Sequence, residues 1–229
     1  MTTNDPIYSL LVDYLEDGDQ KSKILNFHNR YLEDMKFYPG AARHHHSYTG
    51  GYYDHVLEVM NNCLTILPLV VKDLVEFSSR DALTAAYFHD IDKIFYRYVL
   101  DDEAPTNAQL NYARDLGVDI NTEFESKTSI SFKIDAVKEG KKFDEYDIPY
   151  FKRKQDVLPF EDSGIVAMIC ARNGILLNDQ VLSALACHHG GWSPLVRHSP
   201  NYVNPSPLGI LLHTADLISA SCQGGRSLR

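Results

Sequence analysis

The chain has 229 residues, 44% hydrophobic and 23% charged, which suits one globular domain, or one with an insertion, large enough for a proper core. Its 22 basic and 31 acidic side chains give a formal net charge of −9, which argues against a protein that coats nucleic acid but not against a basic pocket for one phosphorylated small molecule. The cysteines at 63, 170, 187 and 222 form no C-x-x-C pair, so zinc-ribbon and thioredoxin chemistry are excluded. With no apolar run of membrane-span length and no signal-peptide layout in MTTNDPIYSL, the expectation is a cytoplasmic protein with reduced thiols and no membrane partner.

Helix signals dominate in chain order. Asp5-Pro6 reads as an N-cap and first-turn proline opening a helix to about Glu16, and a second pattern runs from about Ser22 to Met35. Phe37-Tyr38-Pro39-Gly40 breaks it, and the loop from His44 to Gly51 turns the chain. From Tyr52 to about Val75 the spacing of Val56, Val59, Met60, Cys63, Leu64 and Leu67 is helical, with Pro68 expected to kink or split it. Ser78 and Asp81 resemble a capping box ahead of an apolar helix, Ala82 to Val99.

Residues 101–160 read differently. Thr128 to Val137 alternates as a half-buried strand does, Glu139-Gly140-Lys141-Lys142 supplies a turn, and Tyr146 to Phe151 is a candidate partner strand. The expectation is a small inserted β-containing lobe, with local positive charge at Lys152, Arg153 and Lys154. Helices resume from Asp162 or Ser163 to Asn173-Gly174, from Asn178 to His188, and from Ser206-Pro207 to about Ser221.

Several polar side chains fall inside these apolar patterns, where a charged group is costly unless paired or coordinated. His89-Asp90 sits amid Ala85, Ala86, Tyr87, Phe88 and Ile91, and Lys93 shares its helix face. Asp216 is the sole carboxylate of a strongly apolar helix, with His213 on the same face, and His55 opens the helix after Gly50-Gly51. His188-His189 precedes Gly190-Gly191, whose bare backbone permits close approach of a ligand. Each feature alone has an ordinary structural explanation: a hydrogen-bonded core histidine, a wet helix face, a polar C-cap. Together two His and two Asp make a mixed N/O donor set for one divalent cation (Mn, Fe, Co, Ni, Zn or Mg) with open positions, and disfavour a closed structural zinc site.

The order His55, His89-Asp90, Asp216, with H-H-S-Y-T-G-G-Y-Y-D-H ending at 55, F-H-D-I-D-K at 88–93, H-H-G-G-W at 188–192 and L-H-T-A-D at 212–216, resembles the HD superfamily of metal-dependent phosphohydrolases. It is most similar to the HD domain of bacterial 3′–5′ exoribonucleases and to small bacterial and phage HD proteins, over roughly residues 37–221, with 101–160 poorly matched. The resemblance implies a mainly α fold, an HD-type helical bundle spanning 1–229 with N-terminal helices over 5–36. It implies His55, His89, Asp90 and Asp216 as metal ligands, Lys93 as a phosphate contact, and His188 and His189 near the substrate.

The histidine that binuclear relatives carry between the HD pair and H-H-G is missing from residues 91–187, which favours a mononuclear site. No OB-fold precedes the helices, which argues against polymeric nucleic acid as substrate. The expected activity is hydrolysis of a phosphoester or phosphoanhydride in a small nucleotide, as a nucleotidase or dNTP phosphohydrolase. Lys93, His188 and His189 would serve catalysis, and Lys93, His46, Tyr48, Lys152 and Arg153 substrate binding. The alternatives are a phosphodiesterase or 3′–5′ exonuclease on oligonucleotides or cyclic nucleotides, and a non-catalytic metal-binding HD protein. Proteins of this class are often dimers or hexamers, so a homo-oligomer is compatible, although no segment fixes an interface.

Overall fold

The computed structural model describes residues 5–41, 45–70, 77–101, 103–120, 125–140, 151–153, 162–193 and 205–223. Asp5 accepts the backbone N–H of Tyr8 (2.9 Å) and, with Pro6 behind it, opens α1, Pro6–Tyr14. Helix α2, Asp19–Met35, lays Phe27 against Tyr87 and Phe88 of α4, Ser79–Phe88, with ring centroids 6.5 and 5.6 Å apart. Ser78 and Asp81 close a full capping box on α4. Every residue from Ala82 to Phe88 is buried, so α4 is the central helix and the others wrap it.

Helix α3 covers Gly51–Val70 without a break, with Pro68 in its last turn, where only one intrahelical bond is forfeited; the expected split at Pro68 does not occur, and residues 71–76 lie outside the described residues. The expected helix to Val99 ends early. After Phe88 the chain tightens, with Ile91 N–H bonded to the Phe88 carbonyl and Lys93 N–H to that of Asp90. It then widens into a π-helical turn over Lys93–Arg97 before β1, Tyr98–Leu100.

The reading of Thr128 to Val137 as a strand is wrong: these residues lie in a helix, α6, Lys127–Lys138. Ser126 caps it, and Ile130, Ile134 and Val137 fall on one helical face; the four-residue step from Ile130 to Ile134 also satisfies the alternation seen in sequence. α6 pairs with α5, Asn107–Asp115, capped by Thr106 and Gln109, around Ala113, Val118, Ile130 and Ile134. This is a small apolar cluster separate from the main core. The buried Lys133 ammonium pairs with Glu125 beside it. The β content of the insertion is instead a two-stranded antiparallel ribbon in which β1 pairs with β2, Phe151–Arg153, in the register Leu100 to Phe151. Residues 146–150 lie outside the described residues.

Helices α7, Asp162–Arg172, α8, Asp179–Cys187, and α9, Pro207–Ile218, complete a mainly helical structure. α3, α4, α8 and α9 pack on one another, with α1 and α2 on one flank and α7 against α8. A second π-helical turn, Ser219–Gln223, follows α9 directly. Among the described residues no helix is long and apolar enough to cross a membrane, and all four cysteines are free.

Asn178 joins two of the central helices. Its Oδ1 accepts the Val181 N–H (2.9 Å) to cap α8, and its Nδ2 donates to Asp81 Oδ1 (2.7 Å) in the box that starts α4. Asn178→Ala is expected to lower stability by about 1–2 kcal/mol, the range for a lost N-cap. Urea unfolding should read this as a lower midpoint at unchanged slope, with metal content unaltered.

Candidate metal centre

Three helices bring the four expected ligands together. His55 comes from the second turn of α3, His89 and Asp90 from the tightened turn after α4, and Asp216 from the last turn of α9. His55 Nε2 lies 3.1 Å from His89 Nε2, 3.3 Å from Asp90 Oδ2 and 3.3 Å from Asp216 Oδ1. His89 Nε2 lies 3.2 Å from Asp90 Oδ2 and 3.9 Å from Asp216 Oδ1. Donor atoms held about 2.1 Å from a common centre stand about 3.1–3.3 Å apart at angles of about 95–105°. His55, His89 and Asp216 form the tightest group, each with one donor atom within 4.8 Å of the others. Asp90 touches both histidines through Oδ2, and the same oxygen takes the Lys93 ammonium.

The outer nitrogens decide which way the inner ones face. His89 Nδ1 lies 2.7 Å from the Ala86 carbonyl, which only accepts, so Nδ1 carries the proton and Nε2 presents its lone pair. His55 Nδ1 meets Ser219 Oγ at 3.0 Å, and Ser219 donates its own proton to Glu58 Oε2 at 2.8 Å, so His55 is likewise a donor at Nδ1. As neutral imidazoles the two histidines present bare Nε2 atoms to each other at 3.1 Å, both rings buried and with carboxylates beside them. That arrangement needs a positive charge between the rings, either a proton on one imidazole or a divalent cation.

In the protein alone a proton on the histidines meets that need. Burial opposes the charge on Asp90, but Lys93, His89 and His55 hold its pKa well below the usual carboxylate range. Burial likewise opposes ionisation of Asp216, and His55 and His89 outweigh it, lowering its pKa. Burial disfavours a charged His89, but Asp90 and Asp216 raise its pKa overall.

The other expected site residues divide. Lys93, buried, is ion-paired to Asp90 as its spacing suggested. His188 is buried, with Nδ1 donating to the Leu185 carbonyl (2.6 Å) and Nε2 4.0 Å from Asp90 Oδ1. That Nε2 has no hydrogen-bond partner among the described residues. Burial, with His189 and His89 adding to it, pulls the His188 pKa down to about 3, so the ring is neutral. His189 turns instead to Asp162 (3.5 Å), while its ring lies 3.8 Å from that of His188. The Tyr48 hydroxyl donates to Asp54 (2.8 Å), and His46 faces Glu58 (3.1 Å). The side chains of Lys152 and Arg153, and all of His44, lie outside the described residues.

Sequence reasoning passed over Glu58, Ser219 and the pairing of Arg97 with Asp92 and Asp162, and found the histidine run that includes His45 no convincing metal site by spacing alone. Glu58 was detectable as an acid set among Val56, Leu57, Val59 and Met60 in α3, and Ser219 as a hydroxyl one turn beyond Asp216. Arg97 binds Asp92 (2.9 Å from Nε) and Asp162, tying the π-helical turn to the start of α7. Burial first, then the neighbouring Asp90 and Asp162 charges, push the Asp92 pKa up to about 7 against the pull of Arg97. His213, flagged on the Asp216 face, donates from Nδ1 to the His188 carbonyl (2.7 Å) and so locks α9 to the end of α8. Gly190 packs directly on that ring at φ +56°, and an added Cβ would stand 2.6 Å from His213 Nε2.

A cleft of about 400 Å³ lies elsewhere, between the α1–α2 turn and the starts of α4 and α8. Its cations are engaged, Lys21 with Asp17 (2.8 Å) and Arg80 with Glu16 (2.7 Å). Compared with protein-family profiles, curated proteins and solved structures, the chain matches none.

Ser219 acts on the centre only through His55. Ser219→Ala is expected to weaken divalent-cation affinity about 10- to 100-fold, the usual effect of losing a partner that orients a ligand. Competition against a coloured chelator measures it, and an unchanged affinity would remove Ser219 from the centre.

Proposed function

We propose that the chain is a metal-dependent phosphohydrolase of the HD type, acting on a phosphoester or phosphoanhydride of a small nucleotide. The observation that carries this reading is the convergence of His55 and His89 through their Nε2 atoms, 3.1 Å apart, with Asp90 and Asp216 beside them and a lysine on Asp90. Two imidazoles and two carboxylates drawn from three helices converge on one point, which suits a bound cation. The donor set has no thiolate, which suits a cation that keeps open positions. The motif order and the HD-x-x-K spacing of Lys93 support the HD assignment.

A divalent cation supplies Lewis acidity there, drawing charge from a phosphoryl oxygen and easing deprotonation of a neighbouring water. The protein's own residues do the rest. His55 and Asp216 hold the site from α3 and α9, while Ala86 and Ser219 fix the two imidazole tautomers. Lys93 places an ammonium at the edge of the cluster, where it neutralises charge developing on a transferred phosphoryl group. His188 offers a bare Nε2 next to Asp90, positioned to take a proton or to bind an oxygen of the substrate.

The test is a broad phosphatase and nucleotide panel run with Mn²⁺, Co²⁺, Ni²⁺ and Mg²⁺ in parallel on wild type, His89→Ala and Asp90→Ala. Wild type should hydrolyse at least one small nucleotide, and either variant should lose metal and at least 100-fold in rate, roughly the size of effect expected for removing a metal ligand. Full metal content and rate in both variants would sink the proposal. A metal-loaded wild type that turns over nothing would leave a binding protein, and a salt-sensitive affinity for single strands would point to an oligonucleotide substrate.

A further inference from the structure

The whole chain carries a net charge of −9, yet one small pocket away from the metal centre has no carboxylate in its lining among the described residues. Its volume is about 210 Å³, and its walls are Lys23, Asn26, Phe27 and Arg30 of α2 with Asn173 just beyond α7. Residues 23, 26, 27 and 30 are three and four apart, so α2 turns them all to one side. Phe27 is buried at the base, and Arg30 is exposed. Gly174 closes the other wall on Lys23: a Cβ there would stand 3.5 Å from Lys23 Cε, so the lysine stem lies across the end of α7.

Both cations are available to a ligand. Arg30 has no ion pair or hydrogen bond among the described residues, although Glu33 and Asp34 follow it on the same helix. Lys23 pairs with Asp19 one turn earlier, on an exposed face where solvent keeps such a pair weak. Next to the pocket the surface is aromatic. The Tyr31 ring centroid stands 4.7 Å from that of Phe27 and 4.7 Å from that of Phe95. Tyr96 follows Phe95, and its hydroxyl accepts from Arg172 Nη1 (3.1 Å), which brings a third cation to the rim. Tyr31, Phe95 and Tyr96 are half-buried, so their outer edges remain open.

A pocket of this size falls below the roughly 300–1,000 Å³ that encloses a whole drug-sized ligand, so it seats one compact group. Two cations and two carboxamides select an oxyanion, and rings set beside cations suit a planar base attached to it. We propose that this pocket binds the phosphate of a nucleotide, with the base lying along Tyr31 and Phe95, at a site separate from the metal centre. Arg30 supplies a forked donor and Lys23 a point charge. The lining has no carboxylate, imidazole or thiol among the described residues, so the pocket holds the nucleotide without cleaving it. This inference goes beyond the phosphohydrolase reading and does not rest on it. The π-helical turn that carries Phe95 and Tyr96 begins at Lys93, which pairs with Asp90, so one five-residue segment joins the aromatic rim to the metal centre.

Titration of the full chain with a non-hydrolysable phosphonate analogue of AMP, followed by ¹⁵N NMR at constant ionic strength, tests this. In wild type the backbone amides of 23–30 and 173–174 and the Arg30 Nε–H should shift saturably. Lys23→Gln/Arg30→Gln should weaken that binding at least about 10-fold, the worth of one or two charge-assisted hydrogen bonds. Should the double variant fail a circular-dichroism check of folding, Arg30→Gln alone serves, because Arg30 has no bond within the described residues. Wild-type amides at 23–30 and 173–174 that do not move would overturn the proposal, as would a folded variant that binds as tightly as wild type. Inorganic phosphate that binds there as tightly as the analogue would overturn the assignment to a nucleotide. Absence of hydrolysis on the nucleotide panel would leave these shifts expected, and absence of the shifts would leave hydrolysis expected, so the two readings fail separately.

Discussion

His55 Nε2 lies 3.3 Å from a carboxylate of Asp90 and 3.3 Å from a carboxylate of Asp216, with His55 and Asp90 buried and Asp216 only partly exposed. Charges taken this far from solvent are costly unless compensated. The packing of α3, α4 and α9 therefore depends on what stands among them. Helix–helix contact here is not purely apolar: Cys63, Ala86 and Ala215 are fully buried on these helices, and the polar cluster lies buried with them. Glu58 extends the same constraint outward. Its Oε2 accepts from both Ser219 and His46, so one carboxylate sets the tautomer of His55 on one side and of His46 on the other.

Much of this was legible from residue pattern. The caps at Asp5, Ser78, Asn178 and Ser206 were readable because capping chemistry is local, and each accepts the predicted backbone N–H. The four ligands were readable because charged side chains stand out against the apolar runs around 82–91 and 208–218. Their convergence was not readable, since it depends on long-range packing between residues up to 164 positions apart.

The insertion failed for a different reason. Ile130 and Ile134 satisfy a period of two and a period of nearly four alike, so alternation could not tell strand from helix. The deciding signals were the caps: Thr106 with Gln109, and Ser126 with Ser129, each close a box that announces a helix start. Reach was also lost at His188 and His189. Adjacent in sequence, they point to different partners, one to Asp90 and one to Asp162, because consecutive residues on a helix end diverge by about 100°.

The two π-helical turns begin three residues after Asp90 and three residues after Asp216, at Lys93 and Ser219, and each of those residues touches the centre. A π-helical turn is an α-helical turn holding one residue too many. Such a segment is sensitive to length in a way it is not sensitive to identity. Deleting one residue within 94–97 would let the helix regularise while shifting β1 by one place. Tyr98, Val99 and Leu100 would then exchange faces against Phe151–Arg153. At both places the chain's tolerance is governed by how many residues it has, and an indel within 94–97 would uncouple the bundle from its insertion while leaving every ligand in the sequence.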